Sequence, residues 1–309
     1  MSATVEDLRT LADDGGRARL PDRTGIAIAD DGVRLAYDVY GSGEPTIVLL
    51  PSAPIVHARQ WKAQIPYLAR HYRVVAFDGR GNGRSDRPTD PAAYHDDRMT
   101  RDIAAVMDAT DTARALLVGL CFDGVWRAVR LAAEAPERVS GIVAFAVGVP
   151  RLTPPHPWWE GDRWEAELPV YEGWYKVNRH AWRLDYADSS QFFFETINSE
   201  PHSTKLIEDA VAWAIDGDVE AMIAEADAGF PFDRDQVIAI CRAVRCPMRL
   251  VHGTEDHCQP LHRAHALAEL TGAPLTVLEG ADHMIPGRHP VLANLIIRDL
   301  AETIRRDGP

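Results

Sequence analysis

The hexapeptide Gly119-Leu120-Cys121-Phe122-Asp123-Gly124 sets a cysteine between an apolar run, Ala115 to Gly119, and a helical pattern in which Val125, Ala128, Val129 and Ala132 share one face. A nucleophile at such a strand-to-helix turn stands on strained backbone at the carboxyl edge of a sheet, and small flanking residues let the strand and helix approach each other. Cysteine suits that position. It is partly ionised near neutral pH and intrinsically nucleophilic, and a helix N-terminus and a neighbouring imidazole lower its pKa further. For the hexapeptide alone, a buried and inert cysteine is the competing reading.

The order of potential partners downstream favours chemistry. An apolar segment, Met248 to His252, is followed by Gly253-Thr254-Glu255-Asp256, and another, Pro274 to Leu278, by Glu279-Gly280-Ala281-Asp282-His283. Nucleophile, acid and base then follow one another as Cys121, Asp256 and His283, with Glu255, Asp282 and His257 as rivals for the lesser roles. His283 would accept the thiol proton and return it to the leaving group, while Asp256 fixes the imidazole tautomer. Acyl transfer also needs two backbone N–H donors for the developing oxyanion. Phe122 offers one, and the turn Pro51-Ser52-Ala53-Pro54 offers Ala53 as the other, since proline has no N–H.

These residues need a frame to hold them, and the chain alternates strand and helix patterns. Ile26 to Ile28 and Val33 to Tyr40 flank Asp30-Asp31-Gly32, which predicts a hairpin. Buried strands are predicted at Thr46 to Leu50, Arg73 to Phe77 and Ala115 to Gly119, and later strands at Val139 to Ala146, Met248 to His252 and Pro274 to Leu278. Helices are expected at Arg101 to Asp108, after Cys121, and around Leu292, Leu295, Ile296 and Leu300. The fold class is therefore α/β, a mostly parallel doubly wound sheet. Between Pro150 and about Asp235 strand patterns vanish, and six of the eight tryptophans appear. This region, residues 151–234, reads as an inserted helical cap between core segments 25–150 and 235–309, with a polar segment at 1–24. Trp158, Trp159 and Trp182 are candidates for a pocket beneath the cap, and His57, just past the oxyanion turn, is a further one.

Residues 25–309 resemble the α/β-hydrolase fold family. Besides the elbow, the segment from Phe77 to Asp86 is similar to the family's D-x-R-G-x-G-x-S turn, and Gly253-x-x-Asp256 and Gly280-x-x-His283 match its acid and base segments. The chain departs from the family at Cys121 in place of serine, at Asp123 in place of a second glycine, and at Pro51-Ser52 in place of the common His-Gly pair. Cysteine nucleophiles on this fold resemble those of dienelactone hydrolases, polyhydroxyalkanoate synthases and thioesterases. The resemblance implies acyl chemistry, whereas an aspartate nucleophile would have implied dehalogenase or epoxide hydrolase action.

Composition narrows the remaining choices. With 46% hydrophobic and 26% charged residues the chain can bury a large core, and a net charge of -13 disfavours nucleic acid and anionic membranes as partners. No basic start followed by an apolar run and no long apolar stretch occurs, so a cytoplasmic protein is expected. The cysteines at 121, 241, 246 and 258 form no regular framework and are expected as reduced thiols, with Cys241 and Cys258 dispensable for turnover. Histidines 252, 257, 262 and 265 cluster in sequence, but no metal and no organic cofactor is expected. The leading reading is hydrolysis of a carboxylic ester, lactone or thioester through an acyl-cysteine. Acyl transfer or lactone-forming cyclisation is the second, and a non-catalytic binding protein the third. The expected partner is a small acyl substrate.

Overall fold

The computed structural model describes residues 19–156 and 162–307. Eight strands form one sheet in the order β1-β2-β4-β3-β5-β6-β7-β8. They are β1 (Arg23–Ile28), β2 (Arg34–Tyr40), β3 (Ile47–Leu49), β4 (Val74–Phe77), β5 (Ala115–Leu120), β6 (Val139–Phe145), β7 (Met248–Gly253) and β8 (Leu275–Leu278). The first hairpin is antiparallel, with Gly32 at φ +85° in its turn, and β2 also runs antiparallel to β4. From β4 to β8 every pairing is parallel. Because β4 and β5 lie on opposite sides of β3, the chain reverses its direction of travel across the sheet there. The carboxyl ends of β3 and β5 meet at that switch point, where open α/β sheets form their crevice.

Strands β3, β4, β5 and β6 are buried along their whole length, in accord with their unbroken apolar sequences. One face is covered by helices α1 (Asp96–Ala109), α2 (Cys121–Glu134), α7 (Arg234–Ala243) and α8 (Leu261–Thr271), the other by the Ala58–Trp61 turn, the short Ile65–Leu68 helix and the C-terminal helix α9 (Pro290–Asp307). Helix α1 begins five residues earlier than its apolar pattern predicts. Its first turn carries Asp96 and Asp97, which favour the positive helix end, and Asp96 accepts hydrogen bonds from Trp126 Nε1 at 3.0 and 3.1 Å.

Between β6 and α7 the described residues contain no strand, only a short turn and helices α3 (Arg179–Leu184), α4 (Tyr186–Ile197), α5 (Thr204–Ile215) and α6 (Val219–Asp227). Side chains of Asn178, Asp185 and Asp218 accept N-terminal amides of α3, α4 and α6, and Asp233 with Gln236 forms a capping box on α7. Phe194, Ile197, Ala210 and Trp213 from α4 and α5 pack on Val56, Cys258 and Met284 of the core, so these helices lie over the loops at the sheet's carboxyl edge. Among the described residues no helix is long and apolar enough to cross a membrane.

Candidate active site

Cys121 directly follows β5 and opens α2, with φ at +60°, a strained value for a non-glycine residue. The elbow depends on glycines where backbones touch. A Cβ on Gly119 would lie 2.5 Å from Gly124, and one on Gly148, in the loop after β6, would lie 2.4 Å from the Phe122 nitrogen. The Pro51-Ser52 departure also has a local role. Ser52 Oγ lies 3.2 Å from the Leu120 carbonyl and 3.1 Å from Gln60 Oε1, and tethers the turn after β3 to the elbow.

Asp256, in the loop after β7, is buried and lies against His283, from the loop after β8, with its two oxygens 2.9 and 3.0 Å from Nδ1. Its Oδ1 also accepts the Cys258 and Gln259 amides, each at 2.8 Å. With Nδ1 engaged, Nε2 is the nitrogen left for the thiol. Cys121 Sγ, Cys258 Sγ and a ring nitrogen of His283 lie within 4.8 Å of one another. The rivals are disposed differently. Asp282 accepts the Glu200 amide at 3.0 Å, and Glu255 is exposed beside Thr254.

The Cys258 thiol, as a hydrogen-bond partner, and the His283 imidazole hold the Cys121 thiol well below the ordinary cysteine value, against the opposing effect of burial. Burial opposes charge on His283, but Asp256 and the Cys121 sulfur outweigh it and raise the imidazole well above its ordinary value. Burial likewise works against an ionised Asp256, and His283 more than compensates. Together these directions describe a thiolate–imidazolium pair braced by a carboxylate.

Ala53, Cys121 and Phe122 border a cavity of about 520 Å³. Its wall carries the aromatic rings of Trp164, Trp174, Trp182, Tyr186, Phe193 and Phe230, all from the segment between β6 and α7. Trp182 is therefore at the cavity, edge-on to Trp164 with ring centroids 5.0 Å apart. Trp158 and Trp159 lie outside the described residues. His57 is a correction: it borders a separate cavity of about 470 Å³ with Asp78, Arg84 and Asp216. The local turn accounts for this, since His57 Nδ1 accepts the Arg59 amide at 3.3 Å and its ring packs against Trp213 at 5.8 Å.

Several participants escaped the sequence reading. Cys258 is no remote thiol, for its sulfur is 4.0 Å from that of Cys121, and Gln259 Nε2 donates to both, at 3.6 and 3.7 Å. The closeness of Cys258 to Asp256 in one loop was the available hint. Asp123 is buried and pairs with Arg127 one helical turn on. Burial, together with nearby Asp123, pushes Glu225 on the cavity wall up to about 8. Of the clustered histidines, His252 is fully buried as a brace. Its Nδ1 accepts the Val147 amide at 2.9 Å, and its Nε2 faces the Gln259 carbonyl at 3.0 Å.

Residues 45–176 match the family model described as alpha/beta hydrolase fold. Over 279 residues the chain is 27% identical to a non-heme chloroperoxidase of Streptomyces lividans, an alignment covering 87% of this chain and 96% of that protein. It is 38% identical over 120 residues to 2-hydroxymuconate semialdehyde hydrolase of Pseudomonas sp. (strain CF600), spanning 38% of this chain and 42% of that enzyme. Among solved structures, Est816, an N-acyl homoserine lactone degrading enzyme, superposes with a TM-score of 0.71 at 24% identity, covering 88% of this chain and 99% of that one. The enol-lactonase of Burkholderia xenovorans LB400 gives 0.71 at 21% identity, covering 89% and 99%. With its sheet order, its elbow and these likenesses, the chain has the α/β-hydrolase fold.

Proposed function

We propose that this protein hydrolyses carboxylic esters, lactones or thioesters through an acyl-Cys121 intermediate. The observation that carries the reading is the thiol at the φ-positive elbow, close to an imidazole whose far nitrogen is held by a buried carboxylate. Cys121 sulfur attacks the carbonyl carbon, and the oxyanion is received by the Phe122 and Ala53 amides. The imidazolium of His283 protonates the leaving alcohol or thiol as the tetrahedral adduct collapses. Neutral His283 then takes a proton from water, whose hydroxyl displaces the thiolate and releases the acid. The lactone activities in the names of Est816 and the enol-lactonase support this substrate class. Epoxide opening fits less well, because attack by sulfur would leave a thioether with no carbonyl for water to cleave.

The test is intact-protein mass spectrometry of wild type and Cys121→Ala mixed with acyl thioesters, activated esters and lactones, with product release followed in parallel. An acyl adduct on Cys121 that turns over to free acid is expected. An adduct that persists until an amine or alcohol is added would make the protein an acyltransferase or cyclase, and neither adduct nor turnover with any acyl class would favour a narrow substrate or a binding protein.

A further inference from the structure

Cys258 has no part in the acyl mechanism, yet its sulfur sits 4.0 Å from the nucleophile, and the pair is held in place. Arg263 Nη1 donates to Gln259 Oε1 at 2.5 Å, which orients the amide so that its NH₂ faces both sulfurs. The Asp256 carboxylate fixes the Cys258 backbone through the amide it accepts. Both cysteines line the aromatic cavity, but Cys121 is the more exposed and Cys258 only 5% exposed, so an oxidant arriving through the cavity meets Cys121 first.

From this pairing we propose a second activity: reduction of hydroperoxides, with Cys121 as the attacking thiol and Cys258 as the thiol that resolves it into an intramolecular disulfide. The Cys121 thiolate attacks the terminal peroxide oxygen, the O–O bond breaks, and the departing alkoxide takes a proton from His283. This leaves Cys121 as a sulfenic acid. Cys258 sulfur then attacks Cys121 sulfur, an S–S bond forms, and hydroxide leaves with the Cys258 proton as water. The sum is one hydroperoxide and two thiols giving an alcohol, water and a disulfide, and a dithiol reductant resets the pair.

The electrostatics suit both roles. A depressed thiol pKa favours attack by Cys121. The Cys258 thiol is raised well above its ordinary value, first through its hydrogen bond with Cys121 and then through burial, so Cys121 is the thiolate of the pair. The distant thiols are poor competitors, since burial pushes Cys246 up to about 11 and Cys241 up to about 12. A covalent S–S bond is about half the present separation, so the side chains must turn about their Cα–Cβ bonds to close it. The apolar cavity wall favours organic hydroperoxides over hydrogen peroxide.

The test uses the reduced full-length protein with a metal chelator present, treated with cumene hydroperoxide or hydrogen peroxide, alkylated and mapped by mass spectrometry. Since it needs no acyl substrate, its result stands whether or not the acyl-cysteine reading does. Wild type should lose two hydrogens, yield a Cys121–Cys258 cross-linked peptide, leave two of the four thiols alkylatable, and recover with dithiothreitol. Cys258→Ser should instead accumulate a dimedone-reactive Cys121 sulfenic acid and proceed to the sulfinic acid at least about tenfold faster than wild type. Cys246→Ser should behave as wild type. Equal over-oxidation of wild type and Cys258→Ser, a disulfide through Cys241 or Cys246, or peroxide consumption no faster than in Cys121→Ala would each overturn the proposal.

Discussion

At the scale of single residues, the proposed reactivity rests on how Cys121, His283 and Asp256 set one another's protonation. Cys121 is held below its ordinary pKa and His283 above its own, so the charged pair spans the interval between them. Activity should fall on the acid side as the thiolate takes a proton and on the alkaline side as the imidazolium loses one. The expected kcat/KM profile is a plateau whose acid limb lies well below the ordinary cysteine value and whose alkaline limb lies well above the ordinary histidine value. Iodoacetamide should alkylate Cys121 below neutral pH while Cys241 and Cys246 stay unreactive, and a Cys121 alkylation rate that rises only above about pH 8 would contradict the ion pair. Asp256→Asn tests orientation apart from folding. The amide oxygen can still accept the Cys258 and Gln259 N–H groups, but its NH₂ cannot accept the proton on His283 Nδ1. A loss in kcat of about 10²- to 10⁴-fold with an unchanged circular dichroism spectrum is expected.

At the scale of elements, the elbow is a contact between two backbones and a loop, and Gly148 is its most revealing position. Alanine there would place a methyl group 2.4 Å from the Phe122 nitrogen, whose amide is one of the two donors proposed for the oxyanion. Gly148→Ala should therefore lower kcat by about 10- to 1000-fold with little change in KM, measured on whichever acyl substrate turns over. A change confined to KM would show that the loop shapes binding instead. The strand-elbow-helix unit was legible in the sequence because each part writes its own pattern: an unbroken apolar run in β5, a cysteine flanked by glycines, and a 3.6-residue period in α2. The segments carrying Asp256 and His283 were legible for the same reason. The approach of Cys258 to Cys121 was not, because it joins residues 137 positions apart through the path of a loop, which leaves no periodic trace. His57 misled because proximity to the oxyanion turn says nothing of where a capping side chain faces.

At the scale of the whole molecule, Arg80 is what makes the Phe77 to Asp86 segment structural. Its buried guanidinium grips Asp102 of α1 with two bonds, at 2.6 and 2.7 Å, and reaches Asp31 in the first hairpin at 2.8 Å. One side chain thus ties the antiparallel edge of the sheet to the helix that packs beside α2. Truncation strands Asp102 without its cation in a dry interior, which is the costly way to break a buried pair. Arg80→Ala should lose about 3–5 kcal/mol in urea unfolding, where truncating Arg19, paired with Asp22 at the surface, should change stability far less. Removing the second charge then discriminates between mechanisms. If the cost comes from an uncompensated carboxylate, Arg80→Ala combined with Asp102→Ala should be less destabilised than the two single changes added together. Strict additivity would mean that Arg80 acts through the packing of its stem, and the network across hairpin, turn and helix would not be the tie that holds this edge.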